Sequence, residues 1–203
     1  MPIKIGINGF GRIGRNFYRA VAKQGADMEI VAVNDLGDTA TMAHLLKHDS
    51  VHGNLPNEIN AEDSGIMIDG QMLQVLSERN PQDLPWSDLG VDVVIESTGI
   101  FTDREKANMH LEAGAPLVIV SAPANGADAT FVVGVNDSEF DKEKHTVISN
   151  ASCTTNCFVP MVQVLDDAFG VEKGLMTTVH AYTGDQSLVD GPHGDLRRAR
   201  ASA

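Results

Sequence analysis

The chain has 203 residues and a formal net charge of −13, with its 28 acidic residues spread along it rather than massed in a tail. That balance argues against nucleic acid or an anionic membrane as a partner, and the apolar runs are strand-sized, too short for a transmembrane helix. Cys153 and Cys157 lie one helical turn apart with no metal-ligand set beside them, and a disulfide there would strain the helix. Free thiols, with an opening too soon broken by glycine to be a secretory signal, indicate a reducing, cytoplasmic setting and no bound metal.

In chain order, the first half alternates strand and helix patterns, which predicts a parallel sheet with crossover helices. Residues 3–8 read as a strand, 12–23 as a helix, 29–34 as a second strand and 39–47 as a short helix. Asp69-Gly70 within 66–73 is a hairpin signal, because that pair tolerates the positive φ of a tight turn. Residues 91–96 and 117–120 are near-continuous apolar runs, as expected of strands covered on both faces, and 103–114 between them carries a helix start and a terminal glycine. Strands are predicted at 131–135 and 146–149. The alternation ends near Asn150, which predicts a Rossmann-type doubly wound domain over 1–150 and the beginning of an α+β catalytic domain over 151–203. After His180 the chain passes through a loop punctuated by glycine and proline and stops in an alanine-arginine segment resembling a helix start, so it reads as truncated.

Gly9-Phe10-Gly11-Arg12-Ile13-Gly14 closes the first strand and opens the first helix. Alone, such glycines can be purely structural. Here they sit in a β-α-β unit whose second strand ends in Asn34-Asp35, and Asp35 follows Gly14 by 21 residues, near the spacing at which an acid reaches an adenosine ribose. The glycines admit a pyrophosphate to the helix N-terminus. A carboxylate at Asp35 would bond the ribose hydroxyls and repel a 2′-phosphate, favouring NAD over NADP. The plainer alternative for Asp35 is a solvated strand-end acid.

In Asn150-Ala151-Ser152-Cys153-Thr154-Thr155-Asn156-Cys157, small and polar residues precede an apolar helical run. Ser152 or a neighbour is a plausible N-cap, which places Cys153 in the first turn, where amide donors and the helix dipole favour a thiolate. Thr177-Thr178-Val179-His180 ends an apparent strand in a histidine, and a Cys and His so placed can form a thiolate–imidazole pair. The plain alternatives are an inert thiol and a satisfied core histidine. Cys157 reads as a buried, structural thiol.

With both segments in view, the chain closely resembles the phosphorylating glyceraldehyde-3-phosphate dehydrogenases. Gly6-Ile7-Asn8-Gly9-Phe10-Gly11-Arg12-Ile13-Gly14-Arg15 is similar to that family's opening and Ser149-Asn150-Ala151-Ser152-Cys153-Thr154-Thr155-Asn156-Cys157 to its active-site block. His180-Ala181-Tyr182-Thr183 and Asp195-Leu196-Arg197-Arg198-Ala199-Arg200 resemble its later substrate-binding segments. The resemblance implies that Cys153 attacks the aldehyde of glyceraldehyde 3-phosphate, that His180 is the base, and that inorganic phosphate cleaves the resulting thioester after hydride passes to NAD. It implies a homotetramer at full length. It gives Gly9, Gly11, Arg12, Ile13 and Gly14 to the pyrophosphate, Asp35 to the ribose and Arg79 to the adenine end, with Ser97, Thr98 and Ser121 on the cofactor side. It gives Ser152, Thr154, Thr183 and Arg198 to substrate or phosphate, with Arg197 and Arg200 as alternatives to Arg198. His48 stands where relatives more often carry tyrosine, and Gly191-Pro192 is one of several dipeptides seen in that loop. Two rivals stay open: erythrose-4-phosphate dehydrogenase, against which Asp35 and the His180 segment weigh, and a non-catalytic NAD-binding or redox-sensing fragment. A thiol hydrolase would leave the dinucleotide motif unexplained.

Overall fold

A computed structural model describes residues 1–184, 186 and 193–196. In chain order the first elements are β1 (Ile3–Asn8), α1 (Arg12–Gln24), β2 (Met28–Asn34), α2 (Thr39–Lys47), β3 (Ile59–Glu62), β4 (Gly65–Ile68) and β5 (Gln71–Leu76). There follow α3 (Trp86–Leu89), β6 (Val93–Glu96), α4 (Arg104–Glu112), β7 (Leu117–Val120), β8 (Ala129–Thr130), β9 (Val147–Ser149) and α5 (Cys153–Phe169). Two compact units divide the chain, Met1–Leu165 and Asp166–Ala203, the division falling within α5.

The first unit is an α/β domain whose described strands form one sheet in the order β3-β4-β5-β2-β1-β6-β7-β9-β8. Only the pairs β3–β4 and β4–β5 are antiparallel. From β5 to β8 every pairing is parallel, and the chain leaves β1 first to one side, to β2, and later to the other, to β6. The order therefore reverses at β1, and a crevice opens outside the carboxyl ends of β1 and β6.

Both faces of this sheet are covered, which is why its strands read as continuous apolar runs. Ile5, Ile7, Val33 and Ile95 pack with Phe10 and with Met42, Ala43 and Leu46 of α2. On the opposite face Ala32, Val94, Val118, Val120 and Val147 pack with Trp86 and with Ala107 of α4. Trp86 is fully buried and lies so close on β1 that a Cβ at Gly6 would stand 2.7 Å from its ring. Helices α2 and α4 start where short acids meet free amides: Asp38 accepts from the Thr41 N–H (2.8 Å) and Asp103 from the Lys106 N–H (2.9 Å).

Two predicted strands are corrected. Residues 131–135 form a turn instead, and the strand there is only Ala129–Thr130. The Asn136 side chain holds the turn, accepting from the Val132 N–H (2.8 Å) and donating to the Thr130 carbonyl (3.0 Å), while Gly134 takes a φ of 82°. The apolar pattern came from burial of Phe131 against the Phe140 and His145 rings. Residues 177–180 also lack strand structure, and Val179 is fully exposed. Among the described residues no strand pairs with them, and β-branched composition alone does not hold a segment in a ladder.

Candidate active site

The three glycines of the first turn meet three different demands. Gly9 has a φ of 92°, and a Cβ there would fall 2.7 Å from the Thr98 amide nitrogen. Gly14 lies against the Gly9 carbonyl, so that a side chain would push α1 off β1. Nothing stands within 4 Å of a Cβ at Gly11, which leaves that backbone open to an approaching group. Gly11 also caps α1 without any side-chain hydrogen bond, so the amides of the first turn are not taken by a cap. An open, donor-lined helix start of this kind fits a pyrophosphate.

Asp35 stands beside this mouth, half-buried. Its Oδ2 accepts from the Phe10 N–H (2.8 Å) and its Oδ1 from the Gly37 N–H (3.0 Å), which leaves further lone pairs for ligand hydroxyls. Arg12 and Ile13 are exposed at the start of α1. The Arg12 guanidinium is held by Asp49 (3.0 Å), so what Arg12 offers the mouth is its amide. Amides of His52 and Val51, with Arg12, keep the Asp49 carboxyl well below the usual range despite an opposing effect of burial. Arg79 is exposed just beyond β5, in a segment tied to the end of β2 through Glu78, whose N–H donates to Asn34 Oδ1 (2.7 Å).

On the other side of the crevice Ser97 Oγ donates to the carbonyls of Gly9 (2.7 Å) and Asn8 (3.1 Å). Thr98 and Ser121 follow the ends of β6 and β7, and the Ser121 N–H donates to the Glu96 carbonyl (2.9 Å). The structure thus gathers Gly9, Gly11, Gly14, Asp35, Ser97, Thr98 and Ser121 along the carboxyl edge of one sheet. Motif reading missed what lies behind them. Asn8, Asn34 and Glu96, each the last residue of its strand, are buried side by side with His110. A polar residue ending each of three apolar strands was the available signal.

The thiol segment leaves the sheet at β9. Ala151 adopts a φ of 57°, uncommon for a residue with a Cβ, and its N–H donates to Ser149 Oγ (3.0 Å). That bend points the chain into α5. Ser152 is the N-cap, its Oγ accepting from the Thr155 N–H (3.0 Å), and Cys153 is the first helical residue, exposed. Asn156 Nδ2 reaches back to the carbonyls of Asn150 (2.7 Å) and Ser152 (2.9 Å), bracing the same bend. Thr154 is half-buried. Cys157 is exposed, not buried as expected of a structural thiol.

His180 and Thr183 belong to the second unit. His180 is exposed and its Nδ1–H is engaged by the Ala181 carbonyl. Thr183 forms a turn with Gln186, accepting its N–H (3.1 Å) and donating to its Oε1 (3.0 Å). Arg197, Arg198 and Arg200, and the Gly191-Pro192 pair, lie outside the described residues. Among the described residues no cluster of His, Cys, Asp or Glu could hold a metal, and no helix is long and apolar enough to cross a membrane.

The family model described as "Glyceraldehyde 3-phosphate dehydrogenase, NAD binding domain" matches residues 3–104, from β1 through β6 and so all of these crevice residues but Ser121. The chain belongs to the glyceraldehyde-3-phosphate dehydrogenase family. That family's C-terminal domain model matches residues 152–203, beginning at the N-cap of the thiol helix. The chain is 62% identical over 203 residues to the glyceraldehyde-3-phosphate dehydrogenase of Streptomyces coelicolor, covering all of this chain and 60% of that protein. It is 57% identical over 203 residues to that of Geobacillus stearothermophilus, again all of this chain and 60% of the relative. Against the Mycolicibacterium smegmatis protein it is 60% identical over 210 residues, covering 62% of the relative. The chain therefore spans about three fifths of these relatives' length.

Proposed function

We propose that the chain carries the NAD site and the nucleophile of a phosphorylating glyceraldehyde-3-phosphate dehydrogenase, with a nucleotide domain over 1–150 and the beginning of the catalytic domain over 151–203. The observation that carries this reading is Cys153 seated as the first residue of α5, behind an N-capping Ser152 and a bent Ala151. A helix N-terminus favours an anionic sulfur, and a thiolate is the nucleophile an aldehyde requires.

In this reading the Cys153 sulfur adds to the aldehyde carbon of glyceraldehyde 3-phosphate, and the carbonyl oxygen takes a proton from the His180 imidazolium to give a hemithioacetal. Amides at the start of α5 stabilise the oxygen while it carries charge. His180 then removes the hemithioacetal proton as the hydride leaves carbon. Bound NAD supplies the hydride acceptor. What remains on Cys153 is a thioester, which a phosphate oxygen attacks, expelling the thiolate and releasing 1,3-bisphosphoglycerate. Ser152, Thr154, Thr183 and Arg198 hold substrate or phosphate, and Asp35 the ribose. Gly9, Gly11, Arg12, Ile13, Gly14, Arg79, Ser97, Thr98 and Ser121 line the dinucleotide. The enzyme works in the cytoplasm as a homotetramer.

The experiment joins this chain to the C-terminal two fifths of the Streptomyces coelicolor relative and follows NADH formation from NAD, phosphate and glyceraldehyde 3-phosphate. Cys153→Ser serves as the blank, and erythrose 4-phosphate as the competing aldehyde. Phosphate-dependent NADH formation with the triose, well above the blank, is expected. A folded protein that gives none, or that prefers the tetrose, overturns the assignment.

A further inference from the structure

Behind the crevice runs a buried polar chain whose two ends have fixed polarity. At one end the Trp86 indole, which can only donate, gives its N–H to His110 Nδ1 (3.0 Å). Nδ1 is therefore an acceptor, the ring proton is on Nε2, and Nε2–H donates to Glu96 Oε2 (2.9 Å). At the other end the backbone of Glu78 fixes the Asn34 amide. Its N–H donates to Asn34 Oδ1 (2.7 Å), and Asn34 Nδ2 donates to the Glu78 carbonyl (2.9 Å) and to Asn8 Oδ1 (2.7 Å). Asn8 is thereby oriented with Nδ2 donating to Glu96 Oε2 (2.6 Å). On the outer side Glu96 Oε1 accepts the Thr98 N–H (2.8 Å) and the Thr98 hydroxyl, while the Thr98 oxygen in turn accepts the Ile100 N–H (3.1 Å).

Each of these four groups donates to Glu96, and the orientation of each is set by a neighbour. Glu96, 1% exposed, is thus a buried side chain held by four hydrogen bonds. Its two oxygens do different work. Oε2 is anchored in the interior by Asn8 and His110, and Oε1 holds the turn Ser97-Thr98-Gly99 at the carboxyl end of β6. That turn is in contact with the glycine loop, through Ser97 Oγ on the Gly9 carbonyl and Thr98 against Gly9.

We propose that Glu96 is a positioning residue for the dinucleotide, setting the turn that faces the nicotinamide half. The inference rests on the reading of Gly9 to Gly14 as an NAD site. A dinucleotide lies across the crevice of such a sheet with one mononucleotide on each half. The half that contains β1, α1, β2 and Asp35 takes the adenosine, so the turn after β6 faces the other end. A glutamine at 96 offers an NH2 where one oxygen had been. With the interior donors locked by Trp86 and Glu78, that NH2 faces the Thr98 N–H, donor against donor, and the backbone of the turn loses its anchor.

The test is calorimetric titration of NAD and of adenosine monophosphate into the wild-type chain, Glu96→Gln and Thr98→Val, with circular dichroism to confirm folding. Glu96→Gln should weaken NAD by roughly tenfold, the scale of one buried hydrogen bond lost, and adenosine monophosphate by less than about twofold. Thr98→Val should shift the ratio of the two affinities the same way. A merely structural role would lower both affinities together, and that result, or no change in either, overturns the proposal. Should Glu96→Gln fail to fold, Asn8→Ala, which removes the interior anchor of Glu96 Oε2 at a residue outside the crevice lining, is read by the same ratio and decides. A wild-type chain that binds no NAD overturns the reading of the site itself, a result distinct from the other two.

Discussion

Asp35 already serves two amides, Phe10 and Gly37, before any ligand arrives, so its charge and its structural role can be separated. Asp35→Asn keeps a carbonyl for the Phe10 amide and removes the negative charge. In the wild type, NADP should bind more weakly than NAD by on the order of 1–3 kcal/mol, the range of like-charge coupling in a partly desolvated contact. The substitution should narrow that gap, as read from paired titrations of the two nucleotides. Equal affinities in the wild type would remove Asp35 from the ribose. The two thiols pose a similar question at residue scale. Both are exposed, so access does not separate them. Position does, because Cys153 opens α5 among amides without helical partners, while Cys157 sits a turn further in. Limited iodoacetamide at about pH 6.5, where ordinary thiols are mostly protonated, should label Cys153 first. Mass-spectrometric mapping that finds Cys157 labelled equally or sooner would undo the choice of nucleophile.

At the scale of elements, Asp128 ties α4 to β9. Its carboxylate receives Arg104 Nε from the helix (2.8 Å) and the amides of Thr146 (2.8 Å) and Val147 (2.9 Å) from the strand and the residue before it. Burial alone would raise its pKa. The Val147 amide, the Arg104 guanidinium and the Thr146 amide and hydroxyl outweigh that and hold it at about 2, below the ordinary 3.8. A depressed folded-state pKa means the carboxylate stabilises the fold fully above pH 3.8, and that this stability is lost as pH falls through about 2. Asp128→Asn should therefore lower Tm near neutrality, by an amount equivalent to about 1–3 kcal/mol for donors left facing an amide. The difference from wild type should close between about pH 4 and pH 2. Thermal unfolding across that range checks it, and a gap independent of pH would assign the loss to packing instead.

Across the whole molecule, what could be read from sequence was whatever local spacing encodes. The strand–helix alternation of the first unit is a matter of period, and the glycine triad is legible because it falls at fixed spacing in one turn, Gly9 and Gly14 leaving no room for a side chain and Gly11 standing open. Ser152 and Cys153 were legible because a cap and its helix are contiguous. Residues 131–135 misled because burial in a turn and burial in a strand leave the same apolar mark, and 177–180 because a strand exists only through its neighbour. The polar chain behind the crevice was hidden for another reason. Asn8 and Glu96 are 88 residues apart, and Glu96 and His110 a further 14, so only the sheet's lateral order brings them together.

That chain ends on the protein's single tryptophan, and this gives the molecule a built-in optical sensor. Trp86 has no exposed surface, and its indole N–H rests on an imidazole that leads in turn to Glu96 and the turn beneath the nucleotide crevice. Its emission comes from one site, free of the averaging that several indoles impose. A shift in that emission on adding nucleotide reports movement transmitted through the hydrogen bonds rather than direct contact, and requires no dye or engineered label.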